Sequence, residues 1–411
     1  MKTKKIKVIL FVEIIILFLL CILAVNYYFH HGPVEENEVV EEVPEEIPVE
    51  EEIVLSPEEL LEIEINEYLD KMTLEEKVAQ LFVVMPEDLV NVGCVVAAGE
   101  QTENAIQEIP VGGLIYFSQN LESAAQVIEM LSNTQAYMKE RIGVPAFLCI
   151  DEEGGTVRRI SGTGKFDVPD IGDMSDIGAS GKSEEAYETG KQIGSYLNEL
   201  GFNVDFAPVA DVLTHSENNV VKKRSFGSDP EVVSEMAIAF ADGLAENDVL
   251  STYKHFPGHG ATAGDTHLGY AYTMKSLEEL EKCELIPFKN CIEKDAKMIM
   301  AAHISLPNVT QDNTPATLSK VIITDILRDK MGYDGIIITD AMNMGAVTEQ
   351  YSSDKAAVKV IQAGADMILM PQDFKRTYQG VLKAVENKEI STERIDESVA
   401  RILRVKLQMK E

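Results

Sequence analysis

The sequence predicts an α/β fold: a single (β/α)8 TIM barrel over residues 56–411. Two observations lead to that prediction. Short apolar runs alternate with amphipathic stretches along this part of the chain, which is typical of parallel βαβ units. Eight such units over about 350 residues fit a closed eight-stranded barrel. A doubly wound open sheet is the alternative with the same alternation.

The elements of the barrel can be assigned in order along the chain. The predicted strands are Leu81–Val84, Gly113–Phe117, Ala146–Ile150, Val204–Ala207, Leu250–Lys254, Met298–Ala302, Gly335–Thr339 and Asp366–Met370. The predicted helices include Ser123–Lys139, Glu184–Leu200, Pro230–Asn247 and Ser276–Lys294. The first helix should begin after Ser56, because a capping serine is followed by Pro57 and, at the third helical position, by Glu59. The stretch "ISTERIDESVARILRVKLQM" predicts a closing amphipathic helix.

Three segments are predicted before the barrel. Residues 1–7 carry four lysines and form a basic cytoplasmic end. Residues 8–29 are almost entirely apolar, about the length that a membrane-spanning helix needs. A cleaved signal peptide is the alternative, although no convincing cleavage site follows. Residues 30–55 are rich in glutamate and contain two prolines, which predicts an acidic, disordered linker. The expected location is therefore the cell membrane, with a single-pass anchor and the barrel outside.

Composition excludes one class of partner. The chain of 411 residues has a formal net charge of −33. Nucleic acid binding requires lysine and arginine to neutralise phosphates, so we expect no nucleic acid partner. We expect a monomer that needs no cofactor.

Ionisable residues stand where four predicted strands end. Asp151 follows "FLCI", Lys254 and His255 end "YKH", His303 follows "MIMAA", and Asp340 follows "GIIIT". Enzymes built on barrels place their chemistry at the carboxyl ends of the strands. The four strand ends together predict an active site at that face.

The stretch "YKHFPGHGATAGDTHLG", residues 253–269, contains three of the seven histidines. His255, His259 and His267 with Asp265 are zinc ligands by type. However, the spacing is not that of a zinc-binding helix, and Lys254 would repel a cation. We therefore expect no metal.

Acid/base chemistry is the other interpretation of this stretch. Its glycines predict a flexible loop, and Asp265 and His267, two residues apart, can share a face of it. A carboxylate that accepts a hydrogen bond from one imidazole nitrogen orients the ring and leaves the other nitrogen free for proton transfer. Asp340 is the natural partner, since a carboxylate nucleophile with a separate proton donor is the arrangement of retaining glycoside hydrolysis.

Four motifs resemble the catalytic barrel of glycoside hydrolase family three, and most of all its branch of bacterial β-N-acetylglucosaminidases. They are "IDEEGGTVRR", "KHFPGHG", the following "DTH", and "GIIITDAM". The resemblance begins near Met72, in "MTLEEKVAQLF", and continues to near the C-terminus.

The resemblance implies a role for individual residues. Asp340 would be the catalytic nucleophile, and His267, assisted by Asp265, would be the general acid/base. The residues expected to hold the sugar hydroxyls and the N-acetyl region are Asp151, Arg159, Arg224, Lys254 and His255.

The function that follows is a retaining exo-glycosidase that removes terminal β-N-acetylglucosamine from small oligosaccharides such as peptidoglycan fragments. A β-glucosidase or other β-hexosidase is the alternative within the same class. A non-catalytic barrel that binds the cell envelope is the alternative from another class. The sequence leaves open whether the glycosyl group passes to water or to phosphate.

Overall fold

The computed structural model describes residues 55–262 and 271–409, and a parallel β-barrel stands at its centre. The strands are β1 (Phe82–Val84), β2 (Gly113–Ile115), β3 (Phe147–Ile150), β4 (Glu152–Gly154), β5 (Val157–Arg158), β6 (Val204–Asp205), β7 (Leu250–Ser251), β8 (Tyr253–Phe256), β9 (Ala271–Tyr272), β10 (Met298–Ala301), β11 (Ile304–Ser305), β12 (Ile336–Thr339) and β13 (Ile368–Leu369). All eight predicted apolar runs thus contain strands. The fifth predicted run is divided at Thr252 into β7 and β8.

Hydrogen-bond pairing closes the strands into a ring. One parallel sheet has the order β13-β1-β2-β3-β6-β7, and a second has the order β12-β10-β8. Parallel bridges join Val209 to Lys254 and Ile338 to Met367, which link the two sheets at both edges. Because β7 and β8 together occupy one strand position of the barrel, the ring has eight strand positions. The barrel prediction is confirmed, and the open-sheet alternative is wrong.

Helices surround the ring. Their bounds are Pro57–Lys71, Leu74–Gln80, Pro86–Val90, Glu100–Glu108, Ala124–Ile142, Met174–Ser180, Ser183–Leu200, Pro230–Ala245, Leu277–Glu281, Ile286–Glu293, Pro307–Thr310, Gly345–Thr348, Ser353–Ala363, Phe374–Glu386 and Thr392–Gln408, with a π-helix over Val321–Lys330. The predicted capping of the first helix is confirmed. The Glu59 amide donates to Ser56 Oγ over 3.2 Å, and the Ser56 amide donates to Glu59 Oε2 over 2.8 Å.

The predicted helix Ser276–Lys294 is wrong as a single element. The structure has two helices there, Leu277–Glu281 and Ile286–Glu293. Pro287 lies in the first turn of the second helix, where its missing N–H costs nothing, and it could not continue a helix from the preceding turn. In the turn between the two helices the Glu284 side chain points inward and is fully buried.

The core lies between the barrel wall and the helices. All residues of β1, β2, β3, β10 and β12 are buried. The Cys149 thiol is part of this core, as the sequence predicted, with 1% of the residue exposed. Close helix contact needs glycine at one point. A Cβ on Gly190 would lie 2.0 Å from the Phe240 carbonyl oxygen, so only glycine lets helices Ser183–Leu200 and Pro230–Ala245 approach this closely.

Within residues 55–262 and 271–409, none of the helices is both long and apolar enough to cross a membrane. The predicted anchor, residues 8–29, and most of the predicted linker lie outside the described residues.

Candidate active site

The carboxyl ends of the barrel strands bring the predicted ionisable residues to one face. Asp151 directly follows β3, and Asp340 directly follows β12. Lys254 and His255 lie within β8 rather than after it, and the pairing of β8 with β10 shifts register at His255. Because all these strands are parallel, the four side chains share the end of the barrel where its enzymes hold their substrates.

Lys254 is the centre of a buried ionic cluster. Its Nζ lies 2.8 Å from Asp151 Oδ1 and 2.6 Å from Glu153 Oε1. Arg224 contacts the same Glu153 with two nitrogens, Nε and Nη2, each at 2.7 Å. Burial alone would lower the pKa of Lys254, but Asp151 and Glu153 raise it. Burial alone would likewise raise the pKa of Glu153, but Arg224 and Lys254 lower it. Lys254, Glu153 and Arg224 are therefore charged near neutral pH.

A second buried carboxylate orients His255. Asp211 is fully buried, and its Oδ2 accepts a hydrogen bond from His255 Nδ1 over 2.7 Å. Its Oδ1 accepts from the backbone amide of His259 over 2.6 Å. On the other side of the ring, Arg224 Nη2 lies 3.2 Å from His255 Nε2. A guanidinium can only donate, so the neutral His255 ring carries its hydrogen on Nδ1.

Arg159 is placed by the residue that follows Asp151. Glu152 is fully buried and accepts hydrogen bonds from the backbone amides of Arg159, Ile160 and Ser161. These hydrogen bonds fix the turn from which Arg159 extends over the Phe117 ring. Its guanidinium carbon, Cζ, lies 5.3 Å from the ring centroid. Arg159 Nη2 then lies 3.6 Å from Asp151 Oδ2, and 31% of its side chain is exposed. Arg159 thus presents a charged, accessible edge beside Asp151.

Asp340 is held by the backbone around it. Its amide donates to the Ala301 carbonyl over 2.8 Å, and its Oδ1 accepts from the Ala341 amide over 2.8 Å. Among the described residues, no hydrogen bond is made to its Oδ2. Burial alone would raise the pKa of Asp340, but His255, His303, the Ala341 amide and Lys254 lower it. Asp340 is therefore an ionised, partly accessible carboxylate with one free oxygen.

His303 supports the strand end next to Asp340. Its Nε2 lies 3.0 Å from the Ala341 carbonyl oxygen, and its Nδ1 lies 2.8 Å from Thr317 Oγ1. Only 1% of His303 is exposed. Both ring nitrogens of His303 are thus engaged by residues of the barrel.

Asp265 and His267 lie outside the described residues. The backbone that precedes them is tightly packed, since a Cβ on Gly260 would lie 2.1 Å from the Val212 carbonyl oxygen. Glycine at this position permits close approach of two backbones. Asn218 also donates to the His259 carbonyl over 2.8 Å.

The structure joins five of the predicted residues in one network: Asp151, Arg159, Arg224, Lys254 and His255. Asp340 interacts with this network through its charge. Sequence reasoning missed the carboxylates that hold the network together. Glu153 lies two residues after the predicted Asp151 in "IDEEGG", and Asp211 is a lone acid in the apolar stretch "FAPVADVL". Both positions could have been singled out from the sequence.

Over the described ranges, histidine, cysteine and carboxylate side chains form no group of three or more that could hold a metal ion. The cations already present are lysine and arginine, which pair with the nearby carboxylates.

Comparison with known proteins identifies relatives for most of this barrel. Residues 73–405 match the model of the glycosyl hydrolase family 3 N terminal domain. Beta-hexosaminidase A of Pseudoalteromonas piscicida is 34% identical over 328 residues, which are 74% of this chain and 54% of that protein. Beta-hexosaminidase of Nitrosomonas eutropha is 34% identical over 64% of this chain and 74% of its own length.

A solved structure is similar as well. The family 3 beta-N-acetylglucosaminidase from Paenibacillus sp. FPU-7 is 37% identical, with a TM-score of 0.76, over 82% of this chain and 62% of that one. The chain therefore spans little more than half the length of the first of these relatives.

Proposed function

The chain belongs to glycosyl hydrolase family 3, and on that premise we propose that it is a retaining exo-β-N-acetylglucosaminidase. The observation that carries the proposal is the position of Asp340, an ionised carboxylate that follows β12 and interacts through charge with the ionic cluster around Lys254 of β8. The names of the relatives, beta-hexosaminidase and beta-N-acetylglucosaminidase, favour this sugar over glucose.

In the first step Asp340 attacks the anomeric carbon. Its Oδ1 is occupied by the Ala341 amide, so Oδ2 is the attacking oxygen. The charge interactions that lower the pKa of Asp340 keep it ionised and ready to attack. The product of this step is a glycosyl ester on Asp340, as in other retaining glycosidases.

The buried network holds the sugar during that attack. Asp151 and Arg159 are its most accessible members, with 17% and 31% of their side chains exposed. They are suited to accept from and donate to sugar hydroxyls. Lys254 fixes the direction of Asp151 by direct contact. Behind it, Glu153 holds Lys254 and Arg224, and Asp211 orients His255. A pre-positioned set of donors costs little reorganisation when the substrate binds.

His267, oriented by Asp265, protonates the departing oxygen and then removes a proton from the attacking water. The pattern of the "GHGATAGDTH" segment supports this assignment, as does its connection to β8. The same nitrogen serves both steps, as microscopic reversibility requires.

Two aryl glycosides test the proposal. The purified protein should hydrolyse an aryl β-N-acetylglucosaminide far faster than the matching β-glucoside, and phosphate should not alter the rate. Faster hydrolysis of the glucoside would favour the β-glucosidase alternative. Acceleration by phosphate with release of a sugar phosphate would favour phosphorolysis, and no turnover of either glycoside would favour a binding protein.

We also propose that residues 8–29 anchor the protein in the cell membrane with the barrel outside, where peptidoglycan fragments supply N-acetylglucosamine. The apolar length of this segment and its preceding lysines support the anchor. The full-length protein should fractionate with membranes, and recovery of a shortened, freely secreted chain would show that the segment is cleaved instead.

A further inference from the structure

Glu284 is a fully buried carboxylate with no role in the network described above. It lies in the turn between helices Leu277–Glu281 and Ile286–Glu293, the point at which the predicted single helix is broken. Burying a charge is costly unless it is paired and hydrogen-bonded. The partners of Glu284 therefore indicate what its burial achieves.

The charged partner of Glu284, Lys275, lies downstream of residues 263–270. Lys275 forms an ion pair with Glu284 Oε1. The Thr214 hydroxyl donates to the same oxygen over 2.7 Å, and Lys275 Nζ lies 3.3 Å from Thr214 Oγ1. Lys275 comes three residues after β9, the first element that follows residues 263–270. Glu284 thus fixes the chain where it leaves that segment.

The other contacts of Glu284 lie upstream of the same segment. Gly258 has φ +124°, and a Cβ on it would lie 2.7 Å from Glu284 Cβ and 2.9 Å from Cγ. The Gly258 backbone therefore packs directly on the Glu284 side chain. The residue next to Thr214 adds a further link, since the His215 amide donates to the Gly260 carbonyl over 3.0 Å.

We propose that Glu284 is a positioning residue, which ties together the two chain ends that flank residues 263–270 through its contacts with Lys275, Thr214 and Gly258. The inference rests on the proposed function, in which that segment supplies Asp265 and His267. Over residues 55–262 and 271–409, Glu284 makes no hydrogen bond or ion pair with the sugar-holding network or with Asp340. Its contribution is therefore to the proton-transfer step and not to sugar binding.

This assignment predicts a dependence on the leaving group. Protonation by a positioned acid matters most when the departing oxygen is basic, as in a sugar, and least when it is a good leaving group, as in a nitrophenolate. A loosened segment should slow cleavage of a disaccharide more than the glycosylation step with an activated aryl glycoside. Loss of sugar binding would slow both alike.

Glu284→Gln is the variant to make. It retains an oxygen for the Thr214 hydroxyl but loses the attraction for Lys275, whose side chain is 30% exposed and can turn to water. Thr214→Val should act in the same direction to a smaller extent, and Lys275→Arg should preserve most of the wild-type behaviour. Glu278→Gln is the matched control, because Glu278 is 77% exposed and, among the described residues, pairs with Lys282 four residues along the chain.

Enzyme kinetics and hydrogen exchange together test the role of Glu284. In Glu284→Gln, kcat on an N-acetylglucosamine disaccharide should fall by about 10–100-fold. The rate constant of the pre-steady-state burst on a dinitrophenyl glycoside, which reports the glycosylation step, should fall by roughly threefold or less. Inhibition by free N-acetylglucosamine should be unchanged. Hydrogen exchange should accelerate in peptides covering residues 256–262 and 271–276, and Glu278→Gln should match the wild type in every assay.

Equal losses on the two substrates, or unchanged hydrogen exchange in those peptides, would overturn the role of Glu284. The failure of the proposed function has a different signature, which is retained turnover in Asp340→Ala. Asp366→Asn is the control for general destabilisation, because Asp366 is a buried carboxylate at the opposite end of the barrel. That variant should unfold more readily and leave the ratio of the two substrate rates unchanged.

Discussion

The two ends of the barrel both bury carboxylates among cations, but they differ in what they leave accessible. At the amino end, Asp366 is fully buried and lies among the guanidinium groups of Arg328, Arg394 and Arg401. At the carboxyl end, Lys254 is shared between Glu153 and Asp151, and 17% of the Asp151 side chain is exposed.

In the amino-end cluster, Asp366 has hydrogen-bond partners in addition to the three arginines. Asp366 also accepts hydrogen bonds from the Ile337 amide and the Ser398 hydroxyl, which joins β12 to the closing helix Thr392–Gln408. At the carboxyl end, Asp340 Oδ2 accepts no hydrogen bond from the described residues, and Arg159 presents an accessible edge. The two ends thus differ in their carboxylates. Asp366 is fully enclosed by its partners, which suits a structural role, whereas Asp151 and Asp340 stay partly accessible, which suits binding and chemistry.

The largest expected effect separates the two ends most clearly. Asp340→Ala should lower kcat by roughly 10³–10⁶-fold, because the attacking oxygen is removed. Its melting temperature should stay near that of the wild type, since only one hydrogen bond to Asp340 Oδ1 is lost. Steady-state kinetics with calorimetry on the same preparation check both halves of the prediction. A folded variant with near-wild-type turnover would remove Asp340 from the mechanism.

Lys254→Met should affect activity and stability together. It removes the cation between Asp151 and Glu153, so kcat/KM should fall by about 10–100-fold on good and poor leaving groups alike. The buried Glu153 retains Arg224, which limits the cost in stability. Lys182→Met is the matched control, because Lys182 is 69% exposed and its ion pair within the described residues is with Glu185 at the surface. Similar losses in both variants would show that the position of Lys254 has no special importance.

The sequence could predict the barrel but not the partners that hold its charges. Apolar runs such as Ile336–Thr339 are local patterns, and Asp340 follows directly from one of them. The partners of Glu153 lie 71 and about 100 residues away, at Arg224 and Lys254, and no spacing rule connects them. The helix predicted over Ser276–Lys294 is a different case. Pro287 is a local signal for its break, whereas the inward turn of Glu284 depends on the distant Gly258 and Thr214.

Asp366→Asn should produce the reverse of the Asp340 result. Removing the charge leaves Arg328, Arg394 and Arg401 facing one another in a largely buried site, which should lower the free energy of unfolding by about 3–5 kcal/mol. At a temperature where the variant is folded, kcat/KM should equal that of the wild type. Asp334→Asn is the control: Asp334 also binds Arg401, but it is 78% exposed, and its loss should cost less than about 1 kcal/mol. Denaturant titration measures both changes.

The smallest effect concerns a buried lysine at the amino end. Lys406 Nζ donates to Gln80 Oε1 over 2.8 Å and lies 5.0 Å from the centroid of the Phe147 ring. Burial lowers the pKa of Lys406 to about 7, against 10.5 for an unperturbed lysine. Between these values the unfolded chain binds more protons than the folded one, so the free energy of unfolding rises with pH across this window.

Lys406→Met should remove that dependence. Below pH 7 the free energy of unfolding of the variant should exceed that of the wild type by the largest amount. This excess should shrink toward pH 10, by about 1.4 kcal/mol per pH unit at most. Denaturant titrations at several pH values measure this difference. A difference that is constant with pH would mean that Lys406 keeps its ordinary pKa.

The covalent step at the carboxyl end can be observed directly. A fluorinated N-acetylglucosaminyl fluoride transfers its sugar to a nucleophile quickly and leaves the resulting ester slow to hydrolyse. Peptide mass spectrometry of the treated protein should then find one sugar, on Asp340, and none on the Asp340→Ala variant. A sugar attached to Asp151, Glu153 or Asp211 instead, or equal labelling of the variant, would contradict the account.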